Sequence, residues 1–487
     1  MSTSATLPAA AGFPRLRLPA AAFEVLGYLA VVAAATLAFL AGWLTVNAAV
    51  VLTVALLGSL IVLSWVHLGQ GRHPVFLFLC AMMLFQGGRL IAYVIGLEPD
   101  PMLVRTMAPN PFIIGANYQG IVLLCIALAS VFTYAPCRWR YRPAVPLETG
   151  SVQQYLPYLY ILFSLALPAQ AYKNFQYYEF IQKHGSYVLF FANHEALAMS
   201  VPFLIRAVPL ISVPVFLAIL ICERRKVLVY VVTALYFASA SLILVMGSRG
   251  AFFTTIIAVW YIARRKVASR SRLLLSIPMA VAMLLAADVV QGFRESGRPA
   301  FDVAPTIEGV LVSQGASIDV TQLAVKYPER FRPYTVSYLL QETTEAFYMS
   351  TPSNYYKGRA FGFDATVFLS PRFFSYGYGV SGSYVGESYL LGGVFGVAVI
   401  SFLMGSGLNL LYKLSAYPVT LFMAVSILPE IITKPRGPLL DWVSTLARWA
   451  ISICILWVGW NVYNFVIPSR QAAHSESAPG DPGVGEH

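Results

Sequence analysis

The sequence predicts an all-α protein threaded repeatedly through a membrane, and three observations predict it. Of its 487 residues, 58% are hydrophobic and only 11% are charged, against about 25% charged in an ordinary soluble domain. The apolar residues gather into runs near the ~20 residues needed to cross a bilayer. The cations gather into short loops between those runs, which is how cytoplasmic loops are marked. The composition argues against a disordered chain, a soluble cytosolic enzyme and a protein whose main activity is nucleic-acid binding. The net charge of +11 is first explained by those cytoplasmic loops.

The first run, Ala22 to Leu44, follows Arg15 and Arg17. It is longer than a signal-peptide core and lacks a cleavage site, so it reads as an uncleaved span. Further runs cover 48–67, 74–96, 113–135, 154–171, 208–222, 227–247, 251–263, 273–290, 384–411, 417–433 and 449–467. That makes about twelve spans, of which 208–222 and 251–263 are short and borrow flanking residues. The stretch 187–206 is apolar but holds Asn193, His194, Glu195 and Pro202.

Charge parity settles that stretch. Arg138, Arg140 and Arg142 form one basic loop, Glu223 to Lys226 a second, and Arg264 to Arg272 a third. All three belong in the cytoplasm, so an even number of spans separates the first from the second. Residues 187–206 then form an interfacial or re-entrant periplasmic helix. Residues 1–21 become a cytoplasmic N-terminus, 22–290 carry the spans through 273–290, and 291–383 form a periplasmic loop. The last three spans occupy 384–467, and 468–487 form a disordered cytoplasmic tail rich in Gly, Pro, Ala and Ser. The loop carries eight basic and eight acidic residues, the neutral face expected opposite the basic one.

Cys80, Cys125, Cys137, Cys222 and Cys454 sit in or beside apolar runs, none within the loop. No disulfide is expected there, and no metal-ligand spacing occurs. No internal repeat is visible, which counts against transporters built from inverted halves.

A loop of about 90 residues is too long for a passive connector. Gly309 to Ala324 has helical spacing broken at Gln314-Gly315, and Tyr334 to Phe347 is a second helical stretch with Gln341, Glu342 and Glu345. Dense aromatics follow, from Tyr348 to Tyr384. Rings beside carboxylates suit sugars, and they equally suit an aromatic belt or an ordinary loop core. Three arginines run against the positive-inside trend. Arg89 lies in Gln86-Gly-Gly-Arg89 within the third span, where it needs a partner or a cavity. Arg249 lies in Gly247-Ser-Arg-Gly250, a tight outer turn before a helix start that favours anions. Arg436 lies in Lys434-Pro-Arg-Gly437, also outward. Together they point to a polyanion such as a pyrophosphate. Glu387, at the mouth of the span from Tyr384, is either a general base or a partner for an arginine.

These motifs in this order resemble the bacterial O-antigen polymerase (Wzy) family: Gly247-Ser-Arg-Gly250, Ser313-Gln-Gly315 with Ser317, Glu387 to Gly396, and Lys434-Pro-Arg-Gly437, with Gln86 and Arg89 in support. The enterobacterial common antigen polymerases are the branch it most resembles. The resemblance implies a GT-C-like, metal-independent glycosyltransferase of the bacterial inner membrane, without cofactor. It implies transfer of a growing glycan from undecaprenyl pyrophosphate to the non-reducing end of a new lipid-linked oligosaccharide at the periplasmic face. A chain-length regulator and a flippase are its implied partners. Arg249, Arg89 and Arg436 would hold pyrophosphate. Gln86, Gln314, Ser317 and Tyr384 would hold glycan. Glu387, Glu345, Glu342 and Asp319, in that order, are candidates for the base.

An O-antigen ligase shares the donor, but ligases of this kind carry a loop His and 291–383 has none. A flippase or transporter of lipid-linked sugar would line a central path with charges, whereas here the notable charges cluster at the outer ends of the spans.

Overall fold

The computed structural model describes residues 17–100, 102–104, 112–143, 150–184, 209–245, 249–266, 303–344, 361–371 and 382–466, with Pro202, Ile205 and Val380 as isolated positions. The expected span 273–290, nearly all of the 187–206 segment, Glu345, the tail and most of the loop aromatics lie outside the described residues. Among the described residues the chain is helical, apart from a short antiparallel ladder of Leu103–Val104 with Phe112–Ile113.

Ahead of the loop, the described residues form α1 (Arg17–Leu40), α2 (Val46–His67), α3 (Pro74–Phe85), α4 (Gly88–Val94), α5 (Ala116–Trp139), α6 (Leu156–His184), α7 (Pro209–Cys222), α8 (Lys226–Val245) and α9 (Arg249–Lys266). The loop supplies α10 (Val303–Gln314), α11 (Ser317–Lys326), α12 (Pro328–Phe331), α13 (Thr335–Thr344) and α14 (Phe361–Leu369). The chain then forms α15 (Tyr384–Leu414), α16 (Pro418–Thr433) and α17 (Asp441–Val466).

Among the described residues six helices are long and apolar enough to cross a membrane: α1, α2, α5, α15, α16 and α17. The α3–α4 pair, bent by 63°, makes a seventh if counted as one span. Of the other segments expected to span, 208–222 and 227–247 fall on shorter apolar helices. Segment 154–171 opens α6, which runs on into Lys173, Asn174, Glu179 and Lys183. Segment 251–263 lies in α9, which closes on Arg264, Arg265 and Lys266. Polar ends of this kind lower the apolar content of a whole helix even where its middle is apolar. The chain is thus a multi-pass helical membrane protein.

The centre of the bundle is α5: 72% of its spanning window is buried, against 11% for α1 and 12% for α17. It lies along α15, and Gly405 allows the approach, because a Cβ there would strike the Thr133 carbonyl. Small residues serve the same purpose wherever membrane helices touch backbone to backbone. Inside α15, Gly393 adopts φ 60° beside a non-helical Gly392. That left-handed value is open to glycine and costly for other residues, and it breaks the helix.

The loop is less separate than its sequence suggests. Every residue from Ser317 to Val325 is buried, and α11 lies against both α5 and α15. The break expected at Gln314-Gly315 falls between α10 and α11. Phe361 and Phe368 pack on Phe331, so these two loop aromatics belong to a local core.

The basic loops meet at one end of the bundle. Arg265 donates twice to the Ser415 carbonyl, at 3.1 and 2.7 Å. Arg264 donates to the Gln70 carbonyl and Lys266 to the Glu223 carbonyl, at 2.9 and 2.8 Å. Tyr141 stacks on Tyr412, joining the Arg138 loop to the foot of α15.

Candidate functional site

At the opposite end, one turn gathers side chains from α10, α13 and α15 and from the bend between α3 and α4. It is the Lys434–Asp441 connection between α16 and α17, where Pro435, Gly437 and Pro438 prevent a continuous helix. Glu387 of α15 accepts the Leu439 amide at 2.7 Å, and Glu342 of α13 accepts the Leu440 amide at 2.9 Å. These two amides immediately precede α17, where helix starts leave N–H groups unsatisfied and favour negative charge. Gln86, between α3 and α4, donates to the Pro435 carbonyl at 2.5 Å and to Ser383 Oγ at 3.1 Å. Arg436 donates to the Gln314 side-chain carbonyl of α10 and lies 5.7 Å from the Phe85 ring centre.

Beneath the turn the charges are dense and dry. Glu387 is fully buried and Glu342 nearly so. The second oxygen of Glu387 meets no N–H or O–H donor among the described residues. Its carboxyl lies within electrostatic reach of that of Glu342. Lys434, 1% exposed, is ion-paired with Asp441 and lies within electrostatic reach of Glu342, Glu387 and Glu430. A buried cation among carboxylates offsets their repulsion, and removing it would leave a costly surplus of one sign.

A second cluster braces the first. Arg89 and Asp319 form an ion pair at 2.6 Å with side chains 1% and 0% exposed. Arg89 also donates to the Asp100 carbonyl at 3.3 Å. The helices carrying them touch at backbone distance: a Cβ on Gly88 would lie 2.6 Å from the Leu311 carbonyl, and one on Gly315 would lie 2.5 Å from the Arg89 amide. Thr321 joins this cluster to the turn, donating to Gln86 at 3.1 Å and sharing a 2.8 Å hydrogen bond with Ser383.

The structure therefore joins residues that the sequence assigned separately. Arg89 and Asp319, a pyrophosphate ligand and a base in the sequence reading, are each other's partners. Glu387 and Glu342 form a pair, and Arg436 meets Gln314. Ser317 is buried in the first turn of α11. Tyr384 is buried with its ring edge-on to Phe78. Arg249 begins α9, and its side chain lies outside the described residues, as does Glu345. Lys434, Asp441, Thr321 and Ser383 were missed. The signal for Lys434 was available, since it shares the Lys-Pro-Arg-Gly motif with Arg436. Thr321 carried none, being one small polar residue in an apolar helix.

Among the described residues no cluster of three His, Cys, Asp or Glu side chains is arranged for a metal ion. What the arrangement offers is a buried Lys434 and a partly exposed Arg436 beside a buried carboxyl pair. A family model described as O-antigen polysaccharide polymerase Wzy matches residues 28–464. No curated protein and no solved structure matches the chain.

Proposed function

The chain belongs to the O-antigen polysaccharide polymerase family, and we propose that it transfers a growing glycan from undecaprenyl pyrophosphate to the non-reducing end of a new lipid-linked repeat unit. The observation that carries this reading is the convergence of Gln86, Gln314, Glu342 and Glu387 on the turn that bears Arg436. In the reaction an acceptor hydroxyl oxygen bonds to the anomeric carbon as the bond from that carbon to the diphosphate breaks. The electron pair leaves with the diphosphate, and Arg436 meets the growing negative charge with a fixed guanidinium. Arg249 is the second arginine we assign to the diphosphate. Side-chain cations supply the positive charge, so the scheme requires no metal ion.

The acceptor proton passes to the Glu387–Glu342 pair, with Glu387 as the first recipient and Glu345 the next carboxylate assigned. The pair lies under Gly437–Leu440, whose last two amides it accepts. Gln314 is assigned to the glycan, with Gln86, Ser317 and Tyr384 shaping the wall behind it. Arg89 and Asp319 neutralise each other and position α4 against α11; they act through neighbours, not on the substrate.

The proposal extends to the whole assembly. It comprises about twelve spans in a GT-C-like body, both termini in the cytoplasm, and a reaction at the periplasmic face of the bacterial inner membrane. A chain-length regulator and a flippase of the same pathway would be its partners, and the enterobacterial common antigen type its nearest branch.

Deleting the gene and analysing lipid-linked and surface glycans by gel and mass spectrometry tests the reading. The expected result is accumulation of single repeat units on undecaprenyl pyrophosphate, with long polymer missing. Full-length polymer retained on its carrier would instead identify a ligase. Units trapped on the cytoplasmic face would identify a flippase.

A further inference from the structure

A cation that none of these assignments uses stands at the break in α15. Arg332 opens a single 3-10 turn, Arg332–Tyr334, between α12 and α13. Its Nε donates to the Leu390 carbonyl at 3.2 Å, just before the non-helical Gly392 and Gly393. This carbonyl belongs to the last turn of the outer half-helix, where a cation is electrostatically favoured. The bond uses one of five N–H donors. The described residues give the terminal guanidinium nitrogens no acceptor, and Arg332 is exposed.

The placement is fixed and its depth can be calculated. Phe331 anchors the segment, buried with its ring 5.3 Å from that of Phe361 and 6.0 Å from that of Phe368. The 31 residues of α15 would span about 46 Å if straight, well beyond the ~30 Å hydrocarbon core. Lys413, in the last turn, marks the inner surface. Counting about 20 residues back from it brings the outer surface to Gly393. Phe395, two residues deeper, is 77% exposed, as suits a ring among acyl chains. A Cβ on Gly392 or Gly393 would meet nothing within 4 Å, so there is open space beside the break. Counted along α15 in this way, the Leu390 carbonyl that Arg332 meets falls at the level of lipid phosphates.

We propose that Arg332, at the glycine break of α15, binds the diphosphate of a polyprenyl-linked substrate arriving sideways from the outer leaflet. It is a docking residue, separate from Arg436 at the reacting centre. The proposal rests on the polymerase reading for the identity of the lipid. The shared chemistry is a lipid phosphate, and the test separates the substrate from ordinary phospholipid.

The full-length protein in phosphatidylcholine nanodiscs would be titrated with undecaprenyl diphosphate, with undecaprenol, and with phosphatidylglycerol as competitor. Arg332→Gln keeps a donor for Leu390, so the fold is retained, checked by size-exclusion profile and thermal midpoint. The expected result is diphosphate affinity lowered by about tenfold or more, the loss of one charge-assisted hydrogen bond, with undecaprenol binding unchanged. Arg332→Lys should fall between the two, keeping charge without the planar fork. Equal diphosphate affinity in wild type and Arg332→Gln overturns the proposal. So does displacement by phosphatidylglycerol at equal concentration with the same dependence on Arg332, which would make this a bulk-lipid contact. Binding is read without turnover, so failure here leaves the polymerase reading to stand or fall on the deletion experiment.

Discussion

The two ends of the bundle use the same electrostatic rule in opposite senses. At the basic end Arg265, Arg264 and Lys266 finish on carbonyls of Ser415, Gln70 and Glu223, just beyond the C-terminal ends of α15, α2 and α7. At the other end Glu387 and Glu342 finish on amides just ahead of α17. Cations at helix C-termini and carboxylates at helix N-termini are both stabilising. Capping explains the basic end fully: each contact joins neighbouring helices and asks nothing more. It does not explain why residues 86, 314, 342 and 387 converge on one short turn, or why a partly exposed Arg436 sits there among buried acids. The surplus of organised charge at that end is what points to chemistry.

Substituting at each end should separate chemistry from anchoring. Arg436→Lys should abolish polymer with the protein still present in the membrane at normal level, because an ammonium lacks the planar fork. Glu387→Gln should do the same, since an amide oxygen still accepts the Leu439 N–H but takes no proton. Arg265→Lys should leave polymer per folded molecule unchanged. Surface glycan on gels, normalised to membrane-inserted protein, is the measurement. Normal polymer from Arg436→Lys would erase the distinction drawn between the ends.

The bracing pair offers the next largest effect. Asp319→Asn strands a buried guanidinium and should cost about 3–5 kcal/mol, read as a lowered unfolding midpoint in detergent. The double change Arg89→Met with Asp319→Leu should recover most of that loss, because removing both charges removes the desolvation cost as well. A double variant as unstable as the single one would mean that the pair does more than neutralise itself.

Much of this contrast was legible in the sequence, for identifiable reasons. Spans advertise themselves by composition, and the place of Arg89 inside the third span announced its need for a partner or a cavity. Arg436 and Glu387 were singled out by their motifs. Pairings were not. Nothing local to Arg89 names Asp319, 230 residues away, because a contact between helices depends on how the bundle closes. The fate of α11 was equally hidden: Ser317–Lys326 is too short to read as a span, and only its burial against α5 and α15 reveals it as core.

Smaller effects sharpen the comparison at the basic end. Arg265→Gln removes a charged donor that makes two bonds to Ser415 and should cost about 1.5–3 kcal/mol. Tyr160→Phe is milder. The Tyr160 hydroxyl donates to Glu223 at 2.6 Å, but Glu223 also accepts the Arg225 amide at 2.8 Å, so one neutral donor is lost and the carboxylate stays served. About 1.5 kcal/mol is expected, the low end for a hydrogen bond to a charged group, with polymer unchanged. A polymer defect in Tyr160→Phe at normal protein level would show that the basic end also takes part in turnover, which capping geometry alone gives no reason to expect.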